Sequence, residues 1–162
     1  MSEDSKRSRY ARLAWVVFLL LTVGEAGSSW GQDDENTLRL SITTSKAAYP
    51  LGEPIKLSLA VKNISEHHVT LTFASSKQYD FIVTREGHEL WKWSNGQMFA
   101  MVLTRLVLDP QESRSFEADW LQTDRTGQQV QPGLYEVIGT LAVRSRLFSN
   151  SISFEIQASF PN

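Results

Sequence analysis

Residues 79–100, YDFIVTREGHELWKWSNGQMFA, decide the fold. Tyr79, Phe81 and Val83 alternate with Asp80, Ile82 and Thr84, the period of a strand whose two faces differ. Arg85-Glu86-Gly87-His88 is a short turn, with a glycine where the backbone needs positive φ. A second run, Glu89–Ser94, places Trp91 and Trp93 on one face. The stretch is a β-hairpin, and its aromatics bring the largest apolar side chains to the core. Asp80 is expected to point away from that core and to solvate the outer face or bond to a neighbouring strand.

The same alternation recurs on both sides. Before the hairpin it is carried by Leu38, Leu40 and Ile42, by Ile55, Leu57, Leu59 and Val61, and by Val69, Leu71 and Phe73. After it come Val102, Leu106 and Leu108, where Leu103 and Val107 blur the pattern as in a strand covered on both faces or a bulge. Then follow Phe116, Ala118 and Trp120, Tyr135, Val137, Leu141 and Val143, and Ile152, Phe154 and Ile156. Pro50, Gly52 and Pro54 make Lys46–Pro54 a loop that cannot continue a sheet interior. Short strands punctuated by turns, with no sustained helical period beyond the N-terminus, predict an all-β protein. The expected fold is an immunoglobulin-like antiparallel β-sandwich of about 8–9 strands. Pro132-Gly133-Leu134-Tyr135 resembles the turn and tyrosine opening a late strand of such sandwiches, whose hydroxyl ties back to nearby backbone. Val137 stands where a cysteine often follows.

The N-terminus reads differently. Lys6, Arg7, Arg9 and Arg12 precede an apolar run, Leu13–Val23, and then Gly24, Ala26, Gly27, Ser28, Ser29 and Gly31. Basic, apolar, small is the order of a secretory signal helix, and the run is shorter than the roughly 20 residues a membrane span needs. The expected division is a signal peptide over 1–31, an unstructured acidic start over 32–36, the sandwich over 37–158 and a tail over 159–162. The domain is therefore expected outside the cytoplasm, periplasmic or extracellular, meeting a membrane only through its signal before cleavage.

Composition excludes several functions. The chain of 162 residues has no cysteine, so it carries no disulfide framework, thiolate metal site or cysteine nucleophile. Its net charge of −2, without a basic run, argues against nucleic acid. His67 and His68 are adjacent and face opposite ways on an extended strand, and His88 lies in a turn, so no metal site or other cofactor is expected. Asn63-Ile64-Ser65 matches a glycosylation acceptor by spelling only. No nucleophile elbow or comparable signature is present, and the chain reads as a binding protein, not an enzyme.

An ordered set of motifs carries a family resemblance. It comprises Tyr49-Pro50-Leu51-Gly52-Glu53, Val61-Lys62-Asn63, Val69–Phe73, Tyr79-Asp80-Phe81-Ile82-Val83, Gly87, Leu90-Trp91-Lys92-Trp93-Ser94 and Phe99. Leu108-Asp109-Pro110-Gln111-Glu112, Trp120 and Pro132-Gly133-Leu134-Tyr135 complete it. Together they resemble the BsuPI-type intracellular proteinase inhibitor domain family. The resemblance implies an immunoglobulin-like sandwich and a serine protease of the subtilisin type as partner. Gln111 departs from the family's usual glycine after the turn proline. The family is named for an intracellular inhibitor, whereas the leader places the partner outside the cytoplasm: an exported serine protease or another extracytoplasmic protein. The alternative is a non-inhibitory interaction or assembly module.

If successive strands run antiparallel, alternate connections share one end of the sandwich. Lys46–Pro54, Ser75–Gln78, Ser94–Ala100 and Leu121–Gly133 are then expected together, and long loops on a rigid scaffold are where binding concentrates. The residues expected to touch a protein partner are Asn95, Gly96, Gln97 and Met98 on one loop and Gln122, Thr123, Asp124 and Arg125 on another. Met98 is the apolar anchor. Met101, beside Phe99, is expected to pack.

Overall fold

The computed structural model describes residues 37–144 and 146–158. The expected leader, the acidic start over 32–36 and the tail over 159–162 lie outside the described residues.

β1 (Leu38–Thr44), β3 (Ile55–Asn63) and β8 (Ser113–Trp120) form one sheet in the order β1-β3-β8. The facing sheet runs β2 (Ala48–Pro50), β11 (Ile152–Gln157), β9 (Gly133–Leu141), β5 (Tyr79–Arg85) and β6 (His88–Lys92), with β10 (Leu147–Phe148) also paired to β9. Pairing is antiparallel apart from β2, which lies parallel to β11. A third pair, β4 (Val69–Phe73) with β7 (Thr104–Leu108), joins neither sheet's ladder. The architecture is the expected all-β sandwich.

Alternation translates directly into packing. Ile55, Leu57, Leu59 and Val61 are all fully buried, while the residues between them are only partly covered. From the facing sheet they meet Phe81, Val83, Tyr135, Val137, Phe154 and Ile156. Each such side chain contributes about 1.5–3 kcal/mol by leaving water. Trp120 is the largest fully buried residue, with Tyr135 at 5.7 Å and Phe154 at 6.0 Å between ring centroids. Tyr135 behaves as the tyrosine corner its motif suggested: its hydroxyl donates to the Gln131 carbonyl. Gly139, on β9, lets the sheets approach: a Cβ there would sit 2.6 Å from Leu59 Cδ1.

Two local expectations change. Ala48–Pro50 is an edge strand, not pure loop, because proline is tolerated where no ladder donor is required. β7 begins at Thr104, so Val102 and Leu103 lie outside it and are exposed; exposure, not two-sided burial, explains the blurred alternation there.

The expectation of four connections at one end is overturned. Ile55 pairs with Trp120, Ile156 with Gly133, and Thr84 with Glu136, which defines one end. Lys62 pairs with Ser113 and Tyr79 with Leu141 at the other. Lys46–Pro54, the Glu86-Gly87 turn and Leu121–Gly133 sit at the first end. Ser75–Gln78 and Ser94–Ala100 sit at the second, roughly 25 Å away along an eight-residue strand. The cause is the β4–β7 ribbon. It leaves β3 and returns to β5 at the same end, so the chain reverses without crossing the sandwich and the parity of the connections breaks.

Glu86 (φ 52) and Gly87 (φ 79) both adopt the left-handed region, as a two-residue hairpin turn requires. So does Gln111, at φ 65 in the turn between β7 and β8. That turn is closed by Glu112 N donating to Asp109 O at 3.0 Å and Asp109 N donating to Glu112 Oε2 at 2.8 Å. Gln111 adds only a 3.4 Å contact from Nε2 to Ile64 O. Left-handed backbone costs a non-glycine residue about 1 kcal/mol, partly offset by the greater freedom of glycine in the unfolded chain. Gln111→Gly is therefore expected to raise unfolding stability by about 0.5 kcal/mol in urea titration. A fall in stability would show that the Ile64 contact outweighs the strain.

Candidate functional site

Asp80 is corrected first. It is buried, 2% exposed, at the end carrying the 94–103 loop. A buried carboxylate must be ion-paired and fully hydrogen-bonded. Its Oδ1 accepts from Ser94 N at 3.0 Å and from Phe81 N at 3.1 Å. Its Oδ2 accepts from Ser94 Oγ at 2.6 Å and from Lys77 Nζ, with Lys92 Nζ at 4.0 Å. Lys77 Nζ also donates to Ser94 Oγ at 2.8 Å. One side chain thus ties β5 to the segment before it and to the start of the loop after β6. Tyr79 stacks on Trp93 (4.3 Å) and Phe116 (4.7 Å), and its phenol is pushed up from its ordinary pKa by burial and then by the Asp80 charge.

From this anchor the chain enters a stretch without strand structure, 93–103. Ser94-Asn95-Gly96-Gln97 turns, with Gln97 N donating to Ser94 O at 3.2 Å and Gly96 at φ 78. Gln97 Nε2 donates to Trp93 O at 2.7 Å. The Phe99 ring lies 5.9 Å from Trp93 and 5.8 Å from Lys77 Nζ. Ala100 is held on both sides: its N donates to Ser76 Oγ at 2.9 Å, and its O accepts from Ser76 N at 2.9 Å. Thr104 Oγ1 donates to Ser75 O at 3.1 Å. Between these fixings Met98 is 99% exposed, Met101 89% and Leu103 71%. No Asp, Glu, Lys or Arg occurs from Trp93 to Thr104.

The opposite end is built differently. Gln122, expected on a contact surface, is 0% exposed and at φ 55. Its amide donates to Pro50 O (2.9 Å) and Glu53 O (2.8 Å), and its Oε1 accepts from Gly52 N (2.7 Å). Its side chain is turned from any partner, because both polar atoms of its amide are used in fastening its loop to residues 50–53. Thr123 lends its carbonyl to Trp120 Nε1 at 2.8 Å. Asp124 Oδ1 accepts from Thr126 N (2.8 Å), Thr126 Oγ1 (2.6 Å) and Gln128 N (3.0 Å). Arg125 is exposed, with its N donating to Leu90 O at 2.9 Å.

Asn95, Gly96, Gln97 and Met98 are therefore together and exposed, and Gln122, Thr123, Asp124 and Arg125 belong to the far end. Missing from the expected set were Met101 and Leu103, and the supporting Ser76, Lys77 and Thr104. The charge-free run from Trp93 to Thr104 was the available signal for the first two. The supports come from a segment separated in sequence, and only the fold reveals them. Asn63 is buried, with its Nδ2 donating to Leu108 O at 3.0 Å and its Oδ1 accepting from Ser65 N at 2.9 Å, so it is a turn fastener and no glycan acceptor. Among the described residues no three His, Asp or Glu side chains are grouped for a metal ion.

The molecule is an immunoglobulin-like sandwich presenting a braced, irregular loop, and binding and catalytic residues alike concentrate on such loops. The model of the BsuPI family, intracellular proteinase inhibitor, matches residues 42–146. This chain belongs to that family. The family's description overturns the expected export: it is an intracellular inhibitor, which points to the cytoplasm. No curated protein matches. Among solved structures, a β-glucosidase from Erythrobacter marinus is 10% identical at TM-score 0.46, covering 75% of this chain and 15% of that one. The alkylpurine DNA glycosylase AlkC of Pseudomonas fluorescens, bound to DNA with an abasic site analogue, is 18% identical at TM-score 0.47, covering 75% and 31%. The CARDB domain of the PF1109 protein from Pyrococcus furiosus, in complex with di-metal ions, is 14% identical at TM-score 0.40, covering 75% and 87%. The chain spans a small part of the first two, and no activity passes from these likenesses to it.

Two outcomes follow from the two ends. Asp80→Ala leaves Lys77 without its partner and strips two donors of Ser94. Because Lys77 keeps some access to water, the loss is expected near the lower end for broken buried pairs, about 3 kcal/mol in urea unfolding. A loss under about 1 kcal/mol would remove Asp80 as the anchor. At the other end, the Asp124 carboxyl is held below its ordinary pKa by the Thr126 hydroxyl first, then the Gln128 amide. A depressed folded value means that its support of the loop is full above the unfolded value, about 3.9, and is lost as pH falls through the folded one. Amide NMR shifts of Thr126 and Gln128 should titrate together with a midpoint below 3.9. A midpoint at or above that value contradicts the assignment.

Proposed function

We propose that this protein inhibits a serine protease of the subtilisin type by inserting the 94–103 loop into its cleft, with Met98 entering the specificity pocket. The supporting observation is the exposure of Met98, Met101 and Leu103 on a segment fastened at Trp93, Gln97, Phe99, Ala100 and Thr104. Exposed apolar side chains in contiguous sequence mark interaction surfaces. Burying one of them in a partner's pocket contributes about 1.5–3 kcal/mol. The absence of charge from Trp93 to Thr104 means that a closing cleft strands no ion. The fastenings meet the ordering cost before the encounter, which is the usual source of affinity in a rigid binder. The chain supplies no chemistry of its own in this reading; it occupies the cleft.

The test is titration of the protein against subtilisin-type proteases. Wild type is expected to inhibit at micromolar concentration or below. Met98→Asp is expected to weaken inhibition about 30-fold or more, the loss of one central anchor. Arg125→Ala, at the far end, is expected to leave it unchanged. Equal inhibition by Met98→Asp would contradict the loop assignment, and binding without inhibition would make the protein a non-inhibitory interaction module.

A further inference from the structure

Resting on the inhibitory reading above, we infer that Met98–Phe99 is the peptide bond presented to the protease, and that Phe99 and Ser76 keep its amine half in place after cleavage. The two halves of this bond are fastened separately. On the acyl side, Gln97 is held through its backbone N to Ser94 O (3.2 Å) and its side chain to Trp93 O (2.7 Å). On the amine side, the Phe99 ring is lodged between Trp93 and Lys77, and Ala100 makes both backbone bonds to Ser76. Met98 alone stands clear, at 99% exposure. Met101 is also exposed, but on its carboxyl side Val102 N makes only a local bond to Ala100 O (2.9 Å), and the next fastening to another segment is Thr104. A cut at Met101–Val102 would leave the new amine with only that local bond to Ala100, whereas a cut at Met98–Phe99 leaves it on a residue whose ring and following peptide are fastened to other segments.

The chemistry then runs as follows. The protease serine Oγ adds to the Met98 carbonyl carbon, the C–N bond to Phe99 breaks, and the serine proton passes to the Phe99 nitrogen. That amine remains beside the acyl carbon at the high effective concentration of a positioned intramolecular group. It adds back, the bond to Oγ breaks, and the serine recovers its proton. Hydrolysis by water competes poorly with return, and the complex persists. Ser76 and the Phe99 ring are positioning groups: neither touches a reacting atom, and both act by preventing the Phe99 amine from leaving.

The experiment compares wild type with Ser76→Ala, Phe99→Ala and Ser76→Thr against one subtilisin-type protease, following inhibition over time and the mass of the chain after acid quenching. Wild type should stay inhibitory with the loop largely intact, and chain cut at Met98–Phe99 should regain intact mass on incubation with protease. Ser76→Ala and Phe99→Ala should inhibit at first and then decay about tenfold faster or more, with the cut at Met98–Phe99 running to completion. Ser76→Thr, which keeps the hydroxyl, should restore durability. Inhibition as durable in both variants as in wild type, or cleavage elsewhere in the loop, would overturn this inference while leaving the inhibitory reading intact. A wild type that neither inhibits nor is cut would overturn both.

Discussion

The buried carboxylate of Asp80 is the constraint on which the working end depends. A charge with 2% exposure cannot be left short of partners, so wherever Asp80 sits, Ser94 and Lys77 must come to it. That demand brings together three pieces of chain: the end of the 74–78 connection, the start of a sheet strand and the first residues of the long loop. It makes the Tyr79-Asp80-Phe81 run and the Trp93-Ser94 pair, separate in sequence, two halves of one cluster. It also sets the direction in which the loop leaves the sheet, because both the backbone and the hydroxyl of Ser94 are fixed.

The two ends of the sandwich use the same principle for different purposes. At each, one connection is fastened to another by side-chain bonds to backbone. Gln122 fastens its own loop to residues 50–53, and the result is a sealed corner with its polar atoms spent. Ser75, Ser76 and Lys77 brace the 94–103 segment from outside, and its apolar side chains stay exposed. A loop braced from beneath is presented, whereas a loop fastened by its own buried side chain is closed.

Much of the fold was legible because period-two alternation survives in the strands that face one core. Ile55 to Val61 and Tyr135 to Val137 behave as their patterns say, and the tyrosine corner was readable from Pro132-Gly133-Leu134-Tyr135. What failed was the topology between them. Nothing in the alternation of Val69–Phe73 distinguishes a strand that crosses the sandwich from a ribbon that returns to the end it left, and every later connection inherits that ambiguity. Asp80 was misplaced for a related reason: alternation puts it outside, and only the arrival of Ser94 and Lys77 makes its burial affordable. The residues carrying the family likeness are largely core and turn fasteners, among them Tyr49, Asn63, Asp80, Trp120 and Tyr135. They specify the scaffold, which is why no contact residue followed from them. The exposure of Met98 was legible because an apolar residue after Asn95-Gly96-Gln97 falls beyond the strand alternation and outside the core.

The central claim is that this protein meets its partner with the end anchored by Asp80. Hydrogen exchange on the complex with a subtilisin-type protease, compared with the free chain, tests it most directly. The account predicts added protection over residues 94–104 and 75–78 and none over 121–132. Protection centred on 121–132, with 94–104 unchanged, would contradict it.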